Sequence, residues 1–158
     1  MRRSSGSLCV LYTDGGSRGN PGPAGSGFVL LDPSGAVMCA AGHFLGEATN
    51  NRAEYDGLIR GLEAALSRGC RVLEVRMDSE LIVRQMTGRY RVKNEGLKQP
   101  FARAKALATR IGDVRFVHVR RAENTEADRL ANEAMDARGS VGDPAEPCGD
   151  GDAQGMLF

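Results

Sequence analysis

Between residues 8 and 45 three apolar runs follow one another, joined by a Gly- and Pro-rich stretch and by a four-residue turn. Residues 8–13 (Leu-Cys-Val-Leu-Tyr-Thr) read as a buried strand, residues 25–31 (Gly-Ser-Gly-Phe-Val-Leu-Leu) as a second, and residues 36–45 as a third. Asp32-Pro33-Ser34-Gly35 is the turn between the last two. Strands joined this closely run antiparallel, so the chain is committed to a meander before any helix appears. The period then changes. Tyr55, Leu58, Ile59, Leu62, Ala65 and Leu66 recur at helical spacing, and Gly69 is a natural stop. Val72 to Met77 form a fourth strand and residues 79–87 look helical. Leu97, Phe101, Ala104, Ala108 and Ile111 mark another helix, with Pro100 expected in its first turn, where a missing N–H costs nothing. Residues 114–119 give a fifth strand, and Ala127, Leu130, Ala131 and Ala134 stripe a last helix. The order β-β-β-α-β-α-α-β-α predicts an α/β fold: a mixed five-stranded sheet, three antiparallel strands then two parallel, with helices on both faces.

A chain of 158 residues suits one core. The expected division is an N-terminal arm (1–7), a domain (8–138) and a Gly-, Pro- and acid-rich flexible tail (139–158). That tail carries Asp143, Glu146, Asp150 and Asp152 and no Lys or Arg, so the formal net charge of +1 leaves +5 on the rest of the chain. A basic body permits a polyanionic partner. No apolar stretch has the length of a membrane span and the N-terminus lacks the apolar core of a signal peptide, so a cytoplasmic protein is expected. Cys9, Cys39, Cys70 and Cys148 contain no C-x-x-C pair and read as small buried side chains in a reducing compartment. With only His43 and His118 beside them, a zinc site is not expected.

Four acids stand at element ends: Asp14 after the first strand, Glu54 in the first turn of the first helix, Asp78 after the fourth strand, and Asp128 in the first turn of the last helix. Each has an ordinary explanation. Asp14 precedes Gly15-Gly16, as in a turn; Asn51 to Glu54 and Thr125 to Asp128 have cap-like spacing; Asp78 is placed to cap the helix after it. Together they suggest something else. If strands one and four are neighbours, Asp14 and Asp78 emerge side by side at the sheet edge where ligands bind in such folds. Four clustered carboxylates cannot all stay ionised without cations, and hard oxygen donors suit Mg²⁺ or Mn²⁺. Two such ions are a standard device for phosphodiester hydrolysis.

Four stretches carry a family resemblance: residues 12–22 (Tyr-Thr-Asp-Gly-Gly-Ser-Arg-Gly-Asn-Pro-Gly), 49–54 (Thr-Asn-Asn-Arg-Ala-Glu), 77–80 (Met-Asp-Ser-Glu) and 123–132 (Glu-Asn-Thr-Glu-Ala-Asp-Arg-Leu-Ala-Asn). In this order and spacing the chain resembles type 1 ribonuclease H from about residue 8 to about residue 137. The resemblance implies the ribonuclease H-like fold, with Asp14, Glu54, Asp78 and Asp128 as the catalytic and metal-binding acids. It also implies two Mg²⁺ or Mn²⁺ ions, and an RNA–DNA hybrid whose RNA strand is cut to leave 5′-phosphate and 3′-hydroxyl ends. Gly15, Gly16, Ser17, Asn20, Asn50 and Asn51 would then read the minor groove and sugars, since amides both donate and accept to a 2′-hydroxyl. Thr49 and Arg52 are candidate phosphate contacts.

The resemblance has departures. Residues 88–98 bear Arg89, Arg91, Lys93 and Lys98 but are too short for the basic handle of some members, so the chain resembles the short prokaryotic variant. The loop before the last acid, Arg120-Arg121-Ala122-Glu123, lacks the family's His, and His118 reads as a strand residue. Glu80 stands where other members have a neutral Gln. The last five residues place Gln154, Leu157 and Phe158 in a pattern resembling peptides that dock on the bacterial sliding clamp. A monomer is expected. Two alternatives remain open: a same-fold nuclease that also cuts double-stranded RNA, and a hybrid-binding module without catalysis.

Overall fold

The computed structural model describes residues 8–142, so the N-terminal arm, the acidic stretch from Asp143 onward and the peptide with Gln154, Leu157 and Phe158 lie outside the described residues. The elements are β1 (Leu8–Ser17), β2 (Gly22–Leu31), β3 (Val37–Ala48), α1 (Asn50–Ser67), β4 (Val72–Met77), α2 (Glu80–Met86), α3 (Glu95–Ile111), β5 (Asp113–His118), a single 3-10 turn (Arg121–Glu123), α4 (Thr125–Ala137) and β6 (Val141–Gly142). The sheet order is β5-β4-β1-β2-β3-β6. β1, β2 and β3 form the antiparallel meander, and β4 and β5 add in parallel on the other side of β1. Among the described residues the sheet has six strands, not five. The sixth, β6, pairs antiparallel with β3 through Ala41 and Gly42, within the stretch expected to be flexible tail. Two residues are too short a run to show an alternating pattern in the sequence.

The two faces of the sheet are covered differently. On one face Leu11, Phe28, Leu30, Leu73 and Val75 pack with Leu58 and Leu62 of α1 and Leu107 of α3 into one core. Because α1 packs against both the sheet and α3, Ala53, Gly57, Gly61 and Ala64 are buried along with Tyr55, Leu58, Leu62 and Ala65 of the predicted stripe, while Ile59 and Leu66 are only half-buried. On the other face α4 lies on β2 and β3. It comes so close that a Cβ at Gly27 would enter the Ala127 carbonyl. Covered on both sides, β2 is buried almost throughout, whereas β5 at the sheet edge is half exposed.

Three local expectations change. Asn94 caps α3, accepting from the Gly96 N–H at 2.8 Å, so the helix starts at Glu95 and Pro100 falls beyond its first turn. Glu54 is the fifth residue of α1, not in the first turn, because Thr49 is the cap, accepting from the Arg52 N–H at 3.2 Å. Cys9 and Cys70 are free and buried, but Cys39, also buried, is disulfide-bonded, contrary to four reduced thiols. No helix among the described residues is long and apolar enough to cross a membrane.

Candidate metal centre and nucleic-acid interface

Asp14 lies inside β1, paired with Gly27 of β2, and not in a turn. The reversal comes later, at residues 18–21. The parallel ladder between β1 and β4 runs to Thr13 opposite Met77, so the next residues on the two strands, Asp14 and Asp78, emerge together. Asp78 does not cap α2. Ser79 does, accepting from the Ile82 N–H at 3.3 Å, and so the Asp78 carboxylate is released from that role.

Glu54 reaches the same place because α1 presses on β1. A Cβ at Gly15 would overlap the Ala53 carbonyl and come within 2.6 Å of the Glu54 nitrogen, and one at Gly57 would meet the Asp14 carbonyl at 2.5 Å. Only hydrogen atoms fit at these two positions, and that contact sets the carboxylates of Asp14 and Glu54 side by side. Oxygens of Asp14, Glu54 and Asp78 all lie within 4.8 Å of one another. Asp128, in the first turn of α4, is near enough to Asp14 to help raise its carboxyl, but the carboxylates within 4.8 Å of one another are those of Asp14, Glu54 and Asp78.

The electrostatics follow from this crowding. Burial, then the Asp78 charge, push the Asp14 carboxyl up to about 8, although the Gly15 N–H donates to its Oδ1 at 2.9 Å. Burial, then Asp14 and Asp78, push Glu54 up to about 9, with the Arg121 guanidinium pulling the other way. Glu54 Oε1 is buried with no hydrogen-bond partner. An orphaned carboxylate oxygen in an all-carboxylate cluster is the signature of a site built for a hard divalent cation. The residues present therefore fit Mg²⁺ or Mn²⁺.

The predicted substrate residues form a rim beside the acids. The Ser17 N–H donates to Asn50 Oδ1 at 2.7 Å, and the Asn50 N–H donates to Asn20 Oδ1 at 3.1 Å, which ties the loop after β1 to the start of α1. Gly15 and Gly16 belong to the same strand end, and Asn51 is half-buried in the first turn of α1. Arg18 clasps the loop to α4 through Asn132 Oδ1 (3.2 Å) and Asp136 (2.8 Å). Thr49 and Arg52 are exposed and line, with Glu47, Asn94 and Gly96, a cleft of about 380 Å³. Residues 87–94 hold no helix between α2 and α3, so the connection is as short as expected. His118 ends β5 and is exposed, and Glu80 is ion-paired with Arg84.

Sequence reasoning missed Asn124. It is buried, donates to the Thr13 carbonyl at 2.9 Å and lies beside Asp78. The available signal was its place four residues before Asp128, at the start of the last motif.

The family model described as "Reverse transcriptase-like" matches residues 12–134. The bifunctional protein Rv2228c of Mycobacterium tuberculosis is 49% identical over 129 residues, covering 81% of this chain and 35% of that protein. The ribonuclease HI of Halobacterium salinarum is 47% identical over 125 residues, 79% of this chain and 63% of that one. The chain thus spans less than two thirds of either curated relative. Among solved structures, LC11-RNase H1 in complex with an RNA/DNA hybrid superposes with a TM-score of 0.78 at 47% identity, covering 82% of this chain and 98% of that chain. With the fold, the strand-end acids and these relatives in agreement, the chain belongs to the type 1 ribonuclease H family.

Proposed function

We propose that the protein is an endoribonuclease that hydrolyses the RNA strand of RNA–DNA hybrids. The single observation that carries the reading is the convergence of Asp14, Glu54 and Asp78 within 4.8 Å, with Asp128 against Asp14, beside a rim of amides. Its likeness to LC11-RNase H1, solved with an RNA/DNA hybrid, supports the substrate class.

Asp14, Glu54, Asp78 and Asp128 would hold two Mg²⁺ or Mn²⁺ ions. When bound, the ions supply the positive charge that activates a water for in-line attack and stabilises the leaving 3′-oxygen, which leaves 5′-phosphate and 3′-hydroxyl ends. The protein's own part is positioning. Gly15, Gly16, Ser17, Asn20, Asn50 and Asn51 present neutral donors and acceptors to the sugar edge, where a 2′-hydroxyl distinguishes RNA from DNA. Thr49 and Arg52, at the cleft beside the start of α1, are placed for a backbone phosphate. Burial of Asp14 and Glu54 makes the acids poor at holding charge alone and therefore selective for a doubly charged ion.

Cleavage of a labelled hybrid, an RNA duplex and a DNA duplex in parallel, with Mg²⁺ and with Mn²⁺, tests the proposal. Cutting of the RNA strand of the hybrid is expected. Cutting of both hybrid and RNA duplex would favour the broader nuclease, and binding of hybrid without cutting would favour the non-catalytic module. The C-terminal Gln154, Leu157 and Phe158 are the proposed docking peptide for a sliding clamp. Deleting residues 154–158 should abolish that binding and leave hybrid cleavage by the monomeric domain intact.

A further inference from the structure

Asn124 sits where the supports of three acids meet. It lies between the 3-10 turn and α4 and is 1% exposed. Its Nδ2 donates to the Thr13 carbonyl at 2.9 Å, immediately before Asp14 on β1, and lies 3.5 Å from Asp78 Oδ2. Its own carbonyl accepts the N–H of Asp128 at 3.2 Å. One residue thus spans the strand end that carries Asp14, the carboxylate of Asp78 and the helical turn that carries Asp128. The amide orientation follows from these partners. Turned over, Oδ1 would face a carbonyl and a carboxylate, three acceptors with no proton among them. The chosen orientation leaves Asn124 Oδ1 buried without a partner, so the contacts made by Nδ2 are what this buried amide is for.

We infer that Asn124 is a positioning residue for the metal site: its amide steers the Asp78 carboxylate and locks the start of α4 to the end of β1, so that the acids are arranged before a cation arrives. The inference rests on the metal-site reading above and adds a supporting group to it. Side-chain chemistry limits the choice at this position. Lys or Arg would place a permanent positive charge where the cation must bind, and Asp would add another negative charge without a donor. Ser is too short to span Thr13 and Asp78. A neutral amide orients a ligand without competing with the ion, as hydrogen-bond partners of metal ligands commonly do.

The test is Mn²⁺ titration by calorimetry of the full chain, its Asn124→Leu and Asn124→Ala variants, and an Asp78→Asn control, with thermal melts of each. Leu keeps the volume and removes the donor, which guards against collapse of the Ala variant. The full chain should bind Mn²⁺ and Asp78→Asn should lose most of that binding. Both Asn124 variants should bind about 10–100-fold more weakly, the range seen when such supporting partners are removed. The Mg²⁺ concentration for half-maximal cleavage should rise by a similar factor, with much of the maximal rate recovered. In the unaltered chain, the Asn124 side-chain amide resonance should shift on adding Mg²⁺. Folded Asn124 variants that melt earlier but bind Mn²⁺ within about twofold of the parent would overturn the inference, as would an amide resonance that Mg²⁺ leaves unmoved. Failure of the parent chain itself to bind Mn²⁺ would overturn the metal-site reading instead.

Discussion

The junction of β1 with α1 and the loop that follows β1 are neighbours held by different forces. At the junction, backbone meets backbone: Gly15 against Ala53 and Glu54, Gly57 against the Asp14 carbonyl, with no space for a methyl group. In the loop, exposed side chains do the holding, through Ser17, Asn20 and Asn50 and through the clasp of Arg18 on Asn132 and Asp136. Packing of the first kind has no slack, so it fixes where the acids stand. Exposed hydrogen bonds and ion pairs are individually weak and exchange with water, which would suit the substrate rim proposed above. On the proposed function, the junction is the part expected to set rate and the loop the part expected to set affinity.

The largest effect should come from Asp14→Asn. It keeps the shape of the site and removes one of the carboxylates proposed to hold the metal, so kcat should fall by about 10³-fold with the fold intact, several kcal/mol of lost charge stabilisation. The neutral Asn also relieves repulsion with Glu54 and Asp78, so the metal-free variant should melt no lower than the parent. Next, Gly15→Ala forces β1 and α1 apart at Glu54. Overpacking of this kind costs about 1–3 kcal/mol of stability, and a displacement near 1 Å at a reacting centre costs about 10²-fold in rate. If Gly15→Ala instead raised KM alone, the division between junction and loop would fail.

The distinction was only partly visible in the sequence. The meander and the change of period at residue 50 were legible because each repeats a pattern over several residues, and the four acids were picked out by their places at element ends within the four motifs. That Asp14 belongs to a strand was not, since Asp-Gly-Gly reads locally as a turn. What keeps those glycines extended is their pairing with β2, Gly15 opposite Ser26 and Gly16 opposite Gly25, and for Gly15 also the approach of α1 from about 40 positions away. The same holds for Glu54. Asn51 looked like a cap by spacing, but Thr49 takes that role and Glu54 lies two residues further into the helix, beside Asp14. Asn124 left no periodic trace at all. A buried amide is recognised only by what it touches.

A third effect concerns pH. Asp14 rises from 3.8 to about 8 in the folded chain and Glu54 from 4.5 to about 9. A carboxyl raised on folding favours the fold below its unfolded pKa, and that contribution is lost as pH climbs through the folded value. Without divalent cations the melting temperature should therefore fall as the solution goes from acid towards about pH 9. Cation binding needs the ionised acids and releases their protons. The rise in melting temperature on adding Mg²⁺ should accordingly be larger at about pH 9 than at about pH 6. An equal rise at both would mean that the cation binds elsewhere.

The smallest effects belong to the rim. Asn20→Ala removes the acceptor for the Asn50 N–H and Arg18→Ala opens an exposed clasp. Each costs up to about 1 kcal/mol, so KM should rise by about fivefold or less with kcat unchanged. Replacing Lys93 or Arg91 should weaken hybrid binding evenly across sequences and lower the salt slope by about one unit.

The most direct measurement is anomalous diffraction from crystals of the chain soaked in Mn²⁺. A Mn²⁺ peak ligated by carboxylate oxygens of Asp14, Glu54 and Asp78 is the predicted result. Crystals with Mn²⁺ bound elsewhere and none among these acids would contradict the account.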